Sequence, residues 1–125
     1  HGHRWAKTRR VSVRELAGTG LVLRETGSGT RQALENALTE AGFPLAAEPA
    51  AVLTTTLGVR SAIMAGIAPG ALSSLAVSED ARAGRLVRVR INNLQITRPL
   101  TAIWAGTTPP PHIRDFLDVI ARTDQ

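Results

Sequence analysis

Twice before residue 65, the chain runs from a short apolar stretch, through a loop of small or hydroxyl-bearing residues, into a segment with apolar side chains at helical spacing. The first passage is Leu21-Val22-Leu23-Arg24, then Thr26-Gly27-Ser28-Gly29-Thr30, then Ala33, Leu34, Ala37, Leu38 and Ala41. The second is residues 47–53, then Thr54-Thr55-Thr56, then Val59, Ala62 and Ile63. A short, partly β-branched apolar run fits a buried strand, and a 3.6-residue apolar period fits a helix packed on one face. Repeated strand–loop–helix units restrict the chain to an α/β layer fold with a mostly parallel sheet, because parallel neighbours need a crossover long enough to hold a helix.

The remaining segments extend that pattern. Gly42 and Pro44 end the first long helix, and Gly66 ends the second. Residues 67–72 form a strand candidate interrupted by Pro69-Gly70, and Pro removes a ladder donor. A short helix is expected over 74–83, ending at Gly84, and a strand over 86–91 with Arg85, Arg88 and Arg90 interleaved. Asn92-Asn93 turns the chain into an extended stretch, 96–104, broken by Pro99. Pro109 to Pro111 precede a last helix carrying Ile113, Phe116, Leu117, Ile120 and Ala121 on one face. Residues 1–14 are polar and predict an irregular connector, with a short helical turn around Val13 to Leu16.

With 125 residues there is material for one domain, 43% of it apolar, but aromatics contribute 3%. The core must be Leu, Val, Ile and Ala, which suits helices lying close on a sheet. There is no cysteine, which excludes disulfides and thiolate chemistry. No apolar run reaches the roughly 20 residues of a membrane span, and no secretory signal is visible at the start. The formal charge of +5 is almost wholly arginine. Arg4, Lys7, Arg9, Arg10 and Arg14 crowd the first residues and suggest either a nucleic-acid contact or a solvated connector. Trp5 is the one stacking aromatic among them and no helix-turn-helix pattern follows, which favours the connector.

The two loops carry the chemistry. A helix start presents unpaired N–H groups and the positive end of a dipole, glycine lets a ligand approach the backbone, and hydroxyls add donors. That makes each loop an anion-site candidate, with plain helix N-capping by Ser or Thr as the alternative. Both loops at one end of a parallel sheet favours ligand binding. Arg24 and Arg31 nearby point to a small anion such as an organic acid. Other chemistry fails on inspection. No Gly-Lys precedes Ser or Thr as a Walker loop needs, and Gly18-Thr19-Gly20 and Gly27-Ser28-Gly29 lack the third glycine of a dinucleotide fingerprint. Ser28 is not in a nucleophile elbow. His1, His3 and His112 suggest no Ser-His-acid set, and His1 with His3 lacks a third metal ligand. Glu79-Asp80 reads as a solvated helix face. The expectation is a binding module, not an enzyme, with neither metal nor cofactor.

The order of segments resembles the second lobe of the effector-binding (substrate-binding) domain of LysR-type transcriptional regulators. Glu15-Leu16-Ala17-Gly18, Leu21-Val22-Leu23-Arg24-Glu25 and Gly27-Ser28-Gly29-Thr30-Arg31 carry the likeness. Residues 65–73, Leu75-Ala76-Val77, and Ala83-Gly84-Arg85-Leu86-Val87 continue it in register, as do Arg98-Pro99-Leu100 with Ile103-Trp104 and the last apolar helix. Gly2-His3 with Trp5-Ala6 is similar to the segment just past the first crossover, so His1 to His3 are expected to be native sequence. The resemblance implies a three-layer α/β sandwich, one lobe of a type II periplasmic binding protein fold. Residues 1–99 would form the second lobe, with 1–14 as the connector from the first crossover. Residues 100–125 would be the return strand and terminal helix of the first lobe.

By position, the resemblance places Ser28, Gly29, Thr30, Thr54, Thr55 and Thr56 at the effector cleft, Gly66 and Ala68 on its floor, and Thr97, Arg98, Pro99 and Leu100 at the hinge. It implies a cytoplasmic regulator that forms dimers or tetramers, with DNA contacted by a winged helix-turn-helix outside this chain and no membrane association. Pro69-Gly70 departs from the family's commoner glycine-rich apolar turn. The terminal helix, lacking its usual partner lobe, is expected to pack on another chain or on its own lobe. A solute-binding protein of a transport system shares the fold and is the alternative.

Overall fold

The computed structural model describes residues 2–98, 107–108 and 110–123. In chain order its elements are α1 (Trp5–Thr8), β1 (Arg10–Val11), α2 (Val13–Ala17), β2 (Val22–Arg24), α3 (Gly29–Glu40), β3 (Ala51–Leu53), α4 (Thr56–Met64), α5 (Ser78–Arg82), β4 (Arg90–Ile91) and α6 (Pro111–Thr123).

The organising strand is β2, whose successive side chains point to opposite faces. Leu21, just before it, and Leu23 join Leu34 and Leu38 of α3 in a buried cluster with Trp5, Val11, Leu16 and Ala17. Val22 faces the other way, onto Val59 and Ala62 of α4. Helices therefore cover both sides of the sheet, giving the three-layer α/β arrangement expected. β3 pairs with β2 in parallel, Val22 opposite Ala51 and Arg24 opposite Leu53. On the other edge of β2, Val22 N–H donates to Pro69 O at 2.8 Å, and Val22 and Gly70 form a parallel bridge. The chain thus steps outward from β2 through α3 to β3, then back across β2 through α4. This reversal sends α3 and α4 to opposite faces.

The strand expected over 67–72 is reduced to that bridge. Pro69 offers no N–H, and the backbones approach so closely that a Cβ on Gly70 would meet Val22 O at 2.8 Å and Ile63 Cδ1 at 2.7 Å. Gly42 ends α3 as expected, with φ +84; its N–H reaches Thr39 O at 3.0 Å and Phe43 N–H reaches Leu38 O at 3.0 Å. These paired bonds satisfy the last carbonyls and need a left-handed residue, which glycine supplies without a Cβ clash.

The first fourteen residues differ from expectation. They are not irregular: α1 and β1 lie there, and Trp5 (4% exposed) and Val11 (3%) are core residues. Trp5 Nε1 donates to Glu15 Oε1 at 2.8 Å, and Arg4 pairs with the same oxygen at 2.6 Å. β1 pairs in parallel with β4, Arg10 opposite Arg90 and Val11 opposite Ile91. It stops after two residues because Ser12 caps α2, its Oγ accepting from Glu15 N at 3.1 Å. That brevity limits the strand expected over 86–91 to its last two residues.

Glu79-Asp80 also departs from the expected solvated face. Asp80 is 2% exposed, whereas Glu79 is exposed. Arg60 Nε donates to Asp80 Oδ2, Arg60 Nη2 to Oδ1 at 2.8 Å, and Arg85 Nε to Oδ1 at 2.7 Å. A carboxylate leaves water when charged donors occupy its lone pairs. These donors hold the Asp80 carboxyl down at about 2. The helix expected over 74–83 is shortened to α5. Leu94 and Ile96 pack against the larger cluster without regular structure, and residues 99–104, the rest of the expected stretch 96–104, lie outside the described residues. On α6, Phe116 and Val119 are 58% and 61% exposed, while Leu117 and Ile120 are half-buried.

Candidate functional site

β2 and β3 are parallel neighbours whose following helices lie on opposite faces. In open α/β sheets this opens a crevice beyond the carboxyl ends of the two strands, which is where ligands bind. The loop leaving β2 and the loop leaving β3 both stand there, so residues 27–30 and 54–56 share one end of the sheet.

The two helix starts are built differently. At α4, Thr55 is the N-cap and its Oγ1 accepts from Gly58 N at 2.9 Å. At α3, Ser28 is the N-cap, in extended geometry, but its side chain makes no capping bond. The first helical bond there runs from Gln32 N to Ser28 O at 2.8 Å, so the N–H groups of Gly29, Thr30 and Arg31 precede the helical ladder. The Arg98 guanidinium lies over this turn: a Cβ on Gly29 would meet its Cζ at 2.6 Å. A helix start with an uncapped first turn, an uncommitted hydroxyl and an overlying guanidinium is chemically a receptor for a carboxylate or phosphate.

The arginines named from the sequence are otherwise engaged. Arg24, the last residue of β2, donates from Nε to Glu25 Oε2 at 2.9 Å, from Nη2 to Oε1 at 3.0 Å, and from Nη1 across the crevice to Thr56 Oγ1 at 3.1 Å. The hydrogen bond between them raises the Arg24 pKa and lowers that of Glu25. Arg31 pairs with Glu35 at 2.8 Å and donates to Arg24 O at 3.0 Å, tying α3 to the end of β2.

Of the other expected positions, Thr54 is exposed in the turn before α4 and Thr30 is half-buried in the first turn of α3. Gly66 sits past the end of α4, with φ +79, its N–H on Ile63 O at 3.0 Å. Gly66 and Ala68 therefore stand at the amino end of the strands, opposite the two loops, and the structure does not bring them together with the crevice. Thr97 is exposed beside Arg98, and Pro99 and Leu100 lie outside the described residues. Sequence reasoning placed Arg98 at the hinge and missed its position over Gly29; nothing local signals a contact across so much chain. It also missed Glu25 as the partner of Arg24, although adjacent opposite charges at a strand end were visible.

An open depression of about 580 Å³ runs from Thr56 along α4 past Leu57 and Arg60 to Leu75 and Asp80. Among the described residues no group of three or more His, Asp or Glu converges as metal ligands. His3 is used within the fold, with Nδ1 accepting from Trp5 N at 3.3 Å and its ring edge-on to Trp5. Among the described residues no helix is long and apolar enough to cross a membrane.

Comparison with known proteins matches the whole chain, residues 1–125, to the LysR substrate binding domain. An uncharacterized HTH-type transcriptional regulator of Mycobacterium tuberculosis is 45% identical over 95% of this chain and 40% of its own length. A phosphonates import ATP-binding protein, PhnC, of Anaeromyxobacter dehalogenans is 34% identical over 87% of this chain and 22% of its own. The HTH-type transcriptional regulator CbbR of Xanthobacter flavus is 29% identical over 79% of this chain and 29% of its own. The chain spans about 40% of the length of the mycobacterial regulator. Its parallel strands, helices on both faces and carboxyl-end crevice are those of a type II periplasmic binding protein-like lobe. The chain belongs to the LysR substrate-binding domain family.

Proposed function

We propose that this chain is the effector-sensing part of a LysR-type DNA-binding transcriptional regulator, and that it binds a small anionic effector, such as an organic acid, at the carboxyl-end crevice. One observation carries the acid class: the uncapped start of α3, where the N–H groups of Gly29, Thr30 and Arg31 precede the helical ladder beneath Arg98. Ser28, Gly29 and Thr30 would hold the acid group, and Thr54 to Thr56 would border it. Family membership supports regulation over transport. A solute-binding protein of a transport system is the less favoured reading, since the relatives include proteins named as transcriptional regulators.

The same proposal makes the chain a binding module and not an enzyme, within a cytoplasmic protein whose DNA contacts come from a helix-turn-helix region outside this chain. It also assigns residues 100–125 to the first lobe, with Thr97 to Leu100 as hinge. The exposed Phe116 supports a covering partner for α6, and self-association as dimer or tetramer would supply it.

The test is a panel of small carboxylates and phosphates titrated against the chain by calorimetry. Binding that weakens at least tenfold in Gly29→Val supports the site, because the new side chain fills the space under Arg98. Failure of every acid to bind removes the anionic class. Sedimentation checks the assembly: a monodisperse monomer with α6 cut early by protease argues against self-association.

A further inference from the structure

We propose that Glu25 is a built-in competitor for the effector: its carboxylate holds the guanidinium fork of Arg24, which an anionic ligand in the crevice takes over. The inference rests on the anion-binding reading of that crevice and adds a residue that sets its affinity.

The geometry is that of a ligand contact made internally. Nε and Nη2 of Arg24 meet the two Glu25 oxygens at 2.9 and 3.0 Å, the side-on arrangement in which arginine holds a free carboxylate or phosphate. Nη1 reaches Thr56 Oγ1, so the fork lies between the two loops. Arg24 is the better held partner: its backbone carbonyl accepts from Arg31 Nη1 at 3.0 Å, its Nη1 bonds to Thr56 Oγ1 at 3.1 Å, and its side chain is 21% exposed. Glu25 is the more exposed partner, with a side chain 40% exposed that has water to turn into.

The contrast with other ion pairs shows why this one is not structural. Asp80 joins α4, α5 and the chain beyond them, and Arg31–Glu35 braces a helix turn. Arg24 and Glu25 are sequence neighbours, so their pairing closes no loop and joins no two elements. An exposed pair of this kind is weak, which is what an exchangeable contact requires. Glu25 carries the negative charge that a competitor needs, and the hydrogen bond from Arg24 lowers its pKa from a value already below neutral.

Orthophosphate titrated into the 125-residue chain by calorimetry is the probe. Glu25→Gln should tighten phosphate by up to about fivefold, the range an exposed ion pair is worth. Adding Arg24→Met to Glu25→Gln should abolish that gain relative to Arg24→Met alone. Circular dichroism checks folding, and Arg24→Lys, which keeps the charge without the fork, serves if Arg24→Met does not fold. In the unaltered chain, the Arg24 Nε–H resonance should move as phosphate is added. A gain that persists without Arg24 is a general charge effect and overturns the proposal. So does unchanged or weaker binding in Glu25→Gln; the crevice reading then stands as long as Ser28→Ala weakens phosphate. If phosphate binds but ignores Ser28→Ala and Gly29→Val, the reading fails instead. If no variant binds phosphate, the competitor proposal fails, and the crevice reading fails with it when the carboxylates of the panel do not bind either.

Discussion

The loops after β2 and β3 look alike in sequence, sit at the same end of the same sheet, and each open a helix. Their hydroxyls do different things. Thr55 bonds to its own helix through Gly58 N, so the common structural role accounts for it. Ser28 occupies the same cap position without that bond and leaves the first turn of α3 open beneath Arg98. A hydroxyl before a helix is therefore ambiguous until its proton partner is known. The two helices are also secured differently. α3 is held by fully buried Leu34 and Leu38, and α4 by Val59 and Ala62 plus the charged anchor from Arg60 to Asp80.

Substitutions should separate the two halves. Leu38→Ala should cost the most, roughly 2–5 kcal/mol in a denaturant melt; a loss under about 1 kcal/mol would mean that α3 is not held by its apolar face. Asp80→Asn should lower Tm by about 5 °C, because an amide replaces the buried carboxylate that pairs with the partly exposed Arg60 and Arg85, whereas Glu79→Gln should change it little. The same anchor predicts a pH signature. The Asp80 carboxyl, ordinarily near 3.8, is held at about 2, so its stabilisation is complete above the ordinary value. It is lost as pH falls from about 4 through about 2, and a melt series over that window should show less of this loss in Asp80→Asn. Thr55→Ala should cost about 1 kcal/mol, while Ser28→Ala should leave stability nearly unchanged and weaken phosphate binding. Equal stability losses at both sites would erase the distinction between the loops. The smallest effect belongs to Gly29→Ala, whose Cβ displaces only an exposed arginine; its melt should stay near that of the parent.

What was legible in the sequence was what local pattern dictates. Leu34 and Leu38 at helical spacing, Gly42 before Pro44, and the apolar run 21–24 each gave an element and a buried face. The repeated strand–loop–helix order indicated a parallel sheet. What was not legible depends on distant partners. Val11 lies among charged residues, and only its pairing beside Ile91 makes it core. Glu79 and Asp80 are chemically similar neighbours, and Arg60 and Arg85 decide which one turns inward. The candidate site was found as two loops, but its cation came from a distant part of the chain, since Arg98 meets Gly29 only in the folded state.

The parallel pairing of β1 with β4 has a consequence for the order of folding. Arg10 cannot find Arg90 until the chain between them has been synthesised and the intervening loop closed. Closing a long loop brings its entropic cost before its contacts form, and such contacts slow folding. The β2–α3–β3 unit, by contrast, is made of neighbours in sequence and can assemble as soon as it leaves the ribosome. β1, made before the strand it pairs with, is then among the last to dock, and burial of Trp5 becomes a natural optical marker for that step.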